Sequence, residues 1–552
     1  MATLHLRARR RIVSREAARA TRLASSPTKP LPGTDLILAA GASGALRVVR
    51  IERRCAVASV TVIDGGRGVL VRGTYRGAPP AAVVLRSARV AARGEVTVAG
   101  PGAFECELPL RALGWQGQHR IVPPDTYLLE AHFAAGEPRV LLAPAALRST
   151  LPHEERETHA HVRVTCTARG QITVTVAPPL LASEAGPAGY AAVTAMKRPT
   201  PMVADAVYVQ SWFGKSFSDS PARLAEGLRD DCREVIVGVK DYSVEVPDDV
   251  TPVVIGTQAW WEAITSSRVV VDNSWTPKEF KRRPGQKVVQ TWHGTPLKKL
   301  GYDRSQHEGR TATPQSFRWG SSKWDLLVSP NAYSTEILSR AYAYDGAIAE
   351  TGYPRNDVLV TDDGVRDRVR AALGIPAGTV CVLYAPTFRE ADQGRSVFCD
   401  VEALARRLGP GYRLLVRGHS AASKSGTHHG TSRVLDVSSY PESSHMLAVA
   451  DVLITDYSSV MFDFTATRRP VVFFTPDMDA YAQDGRGVYF DLAAHAPGAV
   501  VTVEDRLPAA VRRAWEGRTD ASPRYEAWRT RFNHLDDGAA TARLAGIVRE
   551  WL

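Results

Sequence analysis

The sequence predicts an α/β protein with two consecutive Rossmann-like lobes, residues 200–375 and 376–552. A β-rich, sandwich-like accessory domain over 34–190 and a basic leader over 1–33 precede them. Three observations predict this. Up to about residue 190, apolar and polar residues alternate between Gly and Pro turns. Beyond about 200, short continuous apolar runs alternate with stretches of helical spacing, the rhythm of a parallel sheet covered by helices. Several of those runs end abruptly in His, Arg or Ser beside Gly or Pro.

Length and composition bound the rest. At 552 residues the chain exceeds one core, and ~100–200 residues per domain gives about three or four domains. The 44% hydrophobic and 23% charged content belongs to an ordinary folded protein. A net charge of +11 suits nucleic acid, anionic lipid or a phosphate-rich substrate equally. No helix-turn-helix, zinc finger or RNP signature accompanies it, so nucleic acid is not expected as a partner. The six cysteines (Cys55, Cys106, Cys166, Cys232, Cys381 and Cys399) form no CxxC pair, which argues for reduced thiols and against structural zinc. No run approaches 18 apolar residues, and the N-terminus lacks the apolar core of a secretory signal. A cytoplasmic protein is expected.

The leader carries Arg7, Arg9, Arg10, Arg11, Arg15, Arg19, Arg22 and Lys29 against the single acid Glu16. Such an arm is either a solvated tail or a contact for the anionic inner face of the cell membrane, where each basic residue contributes roughly 1 kcal/mol. The accessory domain is read from strands at Ala56–Ile63, Val162–Ala168 and Gly170–Ala177. It holds no catalytic cluster.

In the first lobe, strands are expected at Ala206–Gln210, Arg233–Gly238, Arg268–Asp272, Lys287–Thr291 and Asp325–Ser329. Helices are expected at Pro221–Leu228, Thr257–Ser266 and Ser334–Ala343. The second lobe opens with a helix over Val365–Leu373. Its strands are placed at Val380–Ala385, Arg413–Val416, Arg433–Val437, Val452–Thr455 and Val471–Phe474, and its other helices at Val401–Leu408, Ser443–Ala450 and Val460–Ala466. Ligands of such sheets bind outside the carboxyl ends of the strands. That rule selects the residues worth weighing.

One apolar strand runs into His293, Gly294, Thr295 and Pro296, followed by Lys298 and Lys299. A neutral imidazole at a sheet rim accepts a proton near pH 7. Taken alone it would be a loop histidine with solvated lysines. A second strand delivers Arg417 and His419 to its end, and an Arg fork suits phosphate oxygens. A third ends at Thr455 and leads through Asp456, Ser458 and Ser459 into a helix. Those serines either cap the helix or, with its free amides, hold an anion such as a pyrophosphate. Two further turns carry Thr387 with Arg389, and Arg355 with Asn356. Each reads first as a structural turn and second as a ligand contact. Neither a P-loop nor an HExxH helix occurs.

Together these segments resemble the CDP-glycerol:poly(glycerophosphate) glycerophosphotransferases, the teichoic-acid polymerases and primases. The matching runs are TWHGTPLK at Thr291–Lys298, GYPRND at Gly352–Asp357, YAPTFR at Tyr384–Arg389, RGH at Arg417–His419, TDYSS at Thr455–Ser459 and DDGAATAR at Asp536–Arg543. The resemblance covers roughly residues 200–552. It implies a GT-B-like pair of lobes with a CDP-polyol donor between them, and no tightly bound cofactor. By position, His293 matches the family's catalytic base, with His419 as a second catalytic histidine. Arg417, Thr455, Asp456, Ser458 and Ser459 match donor-phosphate positions. Gly294, Thr295, Lys298, Arg355, Asn356, Thr387 and Arg389 remain candidate donor or acceptor contacts. A divalent metal is neither required nor excluded.

The implied reaction moves glycerol- or ribitol-phosphate onto the hydroxyl of a lipid-linked teichoic-acid or capsule-type polymer, releasing CMP. A GT-B glycosyltransferase using a nucleotide sugar shares the fold, and a glycan-binding scaffold is the non-enzymatic alternative.

Overall fold

A computed structural model of the protein describes residues 36–40, 46–50, 54–63, 65–87, 90–115, 117–134, 136–196, 201–304, 314–361, 363–387, 399–418, 433–478, 487–519 and 522–552. The leader 1–33, Arg389 and His419 lie outside the described residues. The chain divides into two compact units. One comprises residues 1–87, 91–112 and 124–177, and the other 88–90, 113–123 and 178–552.

The first unit is antiparallel throughout. Its strands run in the order His153–Arg156, His161–Cys166, Ile172–Ala177, Asp125–His132, Ala82–Arg86, Ala91–Gly100, Ala103–Pro109, Gly68–Arg76 and Arg54–Ile63. Alternation in sequence becomes alternation in burial: Val69 and Val71, Phe104, Cys106 and Leu108, and Tyr127, Leu129 and Ala131 all point inward. The strand Ala91–Gly100 pairs along its first half with Ala82–Arg86 and along its second with Ala103–Pro109. Strands change layer in this way within sandwiches.

The second unit contains two parallel sheets. The first has the order Thr251–Val254, Glu234–Val239, Val203–Gln210, Ser267–Asp272, Lys287–Gln290, Leu326–Ser329, Ala347–Glu350. The second has the order Val434–Asp436, Tyr412–Val416, Val380–Ala385, Val452–Thr455, Val471–Phe474, Ala499–Val501. In each sheet the first strand in sequence lies inside, and the order reverses between it and the fourth. This reversal is the topological switch point of a doubly wound fold. Burial on both faces explains the continuous apolar runs. In the second sheet Cys381, Leu383 and Ala385 pack with the helices Val365–Ala372 and Ser443–Val449. Val382 and Tyr384 pack with Val401–Leu408 and Leu507–Glu516 on the other side.

Three boundaries differ from the sequence reading. Residues 178–196 belong to the second unit, because the helix Gly186–Ala195 sets Tyr190 against Trp260 at 5.8 Å and buries Val193 in the first-sheet core. The segment 113–123 belongs there too. The last helix, Ala540–Arg549, follows the second sheet in sequence but buries Leu544, Ala545 and Val548 in the core of the first. Arg268 Nε donates to the Trp551 carbonyl at 2.8 Å and Arg549 Nε pairs with Asp231 at 2.6 Å, which fixes that return. The sequence reading also passed over Thr251–Val254, Ala347–Glu350 and Ala499–Val501, all short edge strands.

If the returning helix is integral to the first-sheet core, Leu544→Ala should cost about 2–5 kcal/mol, the range for a fully buried leucine. Denaturant unfolding of the full chain measures this, and a loss below about 1 kcal/mol would place the helix outside that core.

Candidate functional site

A cleft of about 470 Å³ is lined from both sheets of the second unit. The first sheet contributes Trp292 through Lys298 and Leu300, the second Ala385 to Thr387, Arg417, Gly418 and Tyr457 to Val460. Ala385 ends the first strand of the second sheet, with Pro386 and Thr387 after it, and Tyr457 to Ser459 follow the fourth, so they flank the switch point. Among the described residues, none that lines the cleft is acidic.

His293 follows the strand Lys287–Gln290 and is held on several sides. Its Nδ1 lies 2.6 Å from the Asn273 carbonyl. A carbonyl only accepts, so Nδ1 carries the proton and Nε2 is the basic nitrogen of the neutral ring. Trp292 stacks on the imidazole at 4.5 Å and Trp212 packs at 5.2 Å. The Trp212 backbone N–H donates to Asn273 Oδ1 at 2.8 Å, so one asparagine sets both the tautomer and the packing of the ring. Burial pushes the imidazole pKa below its ordinary 6.5, and Arg355 adds to this, against the Asn273 hydrogen bond and Asp219. Sequence reasoning missed Asn273, although it directly follows a predicted strand.

The next residue shows how closely the sheets meet. A Cβ on Gly294 would lie 2.9 Å from Ser459 Oγ and 3.1 Å from its Cβ. Backbone from the first sheet therefore touches the serine turn of the second, and a side chain is excluded there. The Gly294 N–H donates to the buried Tyr353 hydroxyl at 3.3 Å. Ser459 stands at the start of the helix Val460–Phe464 but makes no side-chain cap, which removes capping as the reason for its hydroxyl.

Behind the contact lies Arg355. One Nη donates to Asp219 Oδ2 at 3.0 Å and to the His293 carbonyl at 2.9 Å. The other donates to Asp463 at 2.8 and 3.1 Å. Burial works against the guanidinium charge, but the two carboxylates outweigh it and hold its pKa above the ordinary value. Arg355 is thus a bracket between the histidine loop and the helix after the serine turn, not a lining residue. Asn356 is likewise directed away, donating to Asp536 at 3.2 Å. Asp357 accepts from the amides of Ala540 and Thr541, and Arg543 donates to the Thr351 carbonyl. The GYPRND and DDGAATAR runs therefore bind each other.

Two more expectations change. Thr455 is buried with its hydroxyl on the Ala385 carbonyl at 2.7 Å. The buried Asp456 accepts from the amides of Thr387 (2.8 Å) and Tyr457 (2.6 Å). Both residues bind strand ends together instead of facing the cleft, and a carboxylate would repel phosphate in any case. Arg417 lines the cleft, but its Nη atoms donate to the Val437 and Tyr440 carbonyls and to Ser443 Oγ, so it presents charge without an open fork. Gly294, Thr295, Lys298, Thr387, Ser458 and Ser459 do line the cleft with His293.

Replacing Arg355 by Met leaves Asp219 and Asp463 buried without their cation. A loss of about 3–5 kcal/mol is expected in denaturant unfolding, against less than half of that for a surface control such as Arg518→Met.

Comparison with known proteins places this geometry in a family. Residues 192–550 match the family model described as CDP-Glycerol:Poly(glycerophosphate) glycerophosphotransferase. The teichoic acid glycerol-phosphate transferase of Staphylococcus aureus is 34% identical over 359 residues, which are 62% of this chain and 92% of that protein. The teichoic acid poly(glycerol phosphate) polymerase of Bacillus subtilis is 32% identical over 379 residues, 65% of this chain but only 50% of that protein. Among solved structures, the wall teichoic acid polymerase TagF is similar with a TM-score of 0.59 at 31% identity, over 63% of this chain and 89% of that one. A histidine-to-asparagine variant of TagF soaked with CDPG gives 0.59 at 32% identity over the same shares. The match takes in both parallel sheets and every motif that builds the cleft, and the chain belongs to the CDP-glycerol:poly(glycerophosphate) glycerophosphotransferase family.

Proposed function

We propose that this chain transfers a polyol-phosphate unit, glycerol- or ribitol-phosphate, from a CDP-activated donor to the terminal hydroxyl of an envelope polymer. One observation carries the reading: a histidine with Nε2 free to take a proton shares a cleft, without acids among its described lining residues, with a pair of serines from the facing sheet.

The two sheets are read as a GT-B-like pair with the donor between them. The donor diphosphate lies against Ser458, Ser459 and the amides of their turn, with Lys298 and Arg417 supplying positive charge. The acceptor hydroxyl approaches His293. Its oxygen attacks the phosphorus that bears the polyol, its proton passes to Nε2, and the bond from that phosphorus to the bridging oxygen breaks as CMP leaves. Positioning and charge neutralisation account for the acceleration. Donors of both polyols are compatible with the relatives, which include a teichoic acid poly(ribitol-phosphate) polymerase at 27% identity. The acceptor is read as a lipid-linked teichoic-acid or capsule-type chain met at the inner face of the membrane. Among the described residues no helix is long and apolar enough to cross a bilayer.

Incubation of the full chain with CDP-glycerol, CDP-ribitol and a panel of nucleotide sugars tests the proposal, with CMP and nucleoside diphosphate release measured separately. CMP release from a CDP-polyol is expected. Nucleoside diphosphate release from a sugar donor alone would make the chain a glycosyltransferase, and no turnover of any donor would favour a glycan-binding scaffold. His293→Ala should lower kcat by ~100-fold or more while leaving the fold intact. Because the base works unprotonated and its pKa lies below 6.5, turnover should be level at neutral pH and fall as pH drops through that lowered value. A rate that rose on acidification would contradict the base role. Gly294→Ala, which drives a methyl into Ser459 at a backbone φ of +153°, should cut turnover about tenfold or more in the same assay and lower stability in denaturant unfolding.

A further inference from the structure

The family match begins at residue 192, yet the unit that holds the cleft also includes the distant segment Leu113–Pro123. Within it the Gly114 N–H donates to the Gln118 carbonyl at 2.8 Å, which closes a hairpin turn. The hairpin is seated on the first lobe. The Trp115 N–H donates to Glu245 Oε1 at 2.8 Å, and a Cβ on Gly114 would lie 2.5 Å from the same carboxyl group. A Cβ there would displace that carboxyl group from its present place. Arg120 adds a hydrogen bond to the Val246 carbonyl at 2.6 Å.

The Trp115 ring packs on Tyr440, with centroids 5.3 Å apart and planes at 57°. Tyr440 is buried, and its carbonyl accepts from Arg417 Nη1 at 2.8 Å. Arg417 also holds the Val437 carbonyl and Ser443 Oγ, so the guanidinium and the Val437–Ser443 loop fix each other, and Arg417 lines the cleft. Tyr440 is tied on its other side as well. Its hydroxyl lies 3.1 Å from His445 Nδ1, and His445 Nε2 lies 3.3 Å from Arg223 Nη2 on the helix Asp219–Gly227. A guanidinium only donates, so Nε2 accepts, and Nδ1–H donates to the tyrosine hydroxyl.

We propose that Trp115, outside the family's own span, is a positioning residue for donor binding. From its seat on Glu245 it clamps Tyr440 and the loop that orients Arg417, whose charge faces the donor diphosphate. The inference rests on the CDP-polyol reading above. A transferase truncated to the family region would keep its base and serine turn and lose this clamp.

The test is steady-state kinetics of the full chain, with CDP-glycerol as donor and CMP release as readout, for Trp115→Ala, Trp115→Phe and Glu245→Gln. The donor KM of Trp115→Ala should rise about tenfold with kcat within about twofold, and the acceptor KM should not move. Trp115→Phe, which keeps an aromatic face for Tyr440, should recover most of the affinity, and Glu245→Gln should fall between. An unchanged donor KM in Trp115→Ala would overturn the inference. So would a drop in kcat matched by loss of folded protein, which marks a merely structural role. Absence of CMP release by the unaltered chain would instead reject the CDP-polyol reading, and this inference with it.

Discussion

A single buried guanidinium joins the two halves of the site. Arg355 reaches Asp219 at the start of a first-lobe helix, the carbonyl of His293, and Asp463 on the helix that follows the serine turn. Taking such charges out of water costs several kcal/mol per ion, and only good geometry with full hydrogen bonding offsets it. Arg355 meets that condition: each Nη faces a carboxylate, and its face lies 4.9 Å from the Tyr353 ring. A lysine would bring one point charge where two forks are needed. The bracket holds the His293 loop against the serine turn, where a Cβ on Gly294 would meet Ser459.

Charge is sorted around the cleft in a consistent way. Asp219, Asp456 and Asp463 all lie close behind the lining, and each is committed to an arginine or to backbone amides. Among the described residues, an imidazole, hydroxyl groups, apolar side chains, backbone and the cations Lys298 and Arg417 line the cleft. Among the described lining residues there is no carboxylate to repel an anion. The same arrangement keeps the imidazole neutral, since burial outweighs the pull of Asp219 on its proton. Acids hold the walls together, and neutral or positive groups face the guest.

Much of this was legible in the sequence. Val380–Ala385, Val452–Thr455, Val471–Phe474 and the helix Val401–Leu408 fall where their apolar runs and flanking breakers put them. Strands buried on both faces leave unbroken apolar runs, whereas edge strands do not. Thr251–Val254 contains a proline and pairs with a single neighbour, and it went unread. The strand-end rule pointed to His293, Thr387, Ser458 and Ser459, which line the cleft. It failed for Arg355, Asn356, Thr455 and Asp456, which look like ligand groups in a motif but are consumed by partners distant in sequence. Arg355 finds its carboxylates 136 and 108 positions away, which no local pattern reveals. Asn273 was missed for the opposite reason: the group it offers His293 is a backbone carbonyl, which any residue type carries, and its side chain serves Trp212, 61 positions away. The return of the last helix to the first sheet was hidden in the same way, since its apolar stripe does not say which core it covers.

The central claim is that the histidine of one lobe and the serine turn of the other bind one donor between them. A structure of the full chain with CDP-glycerol tests it most directly. The account predicts diphosphate oxygens within hydrogen-bond distance of Ser458 and Ser459, with the polyol-bearing phosphorus on the side of His293 Nε2. Donor bound away from the serine turn, or with that phosphorus turned from His293, would contradict it.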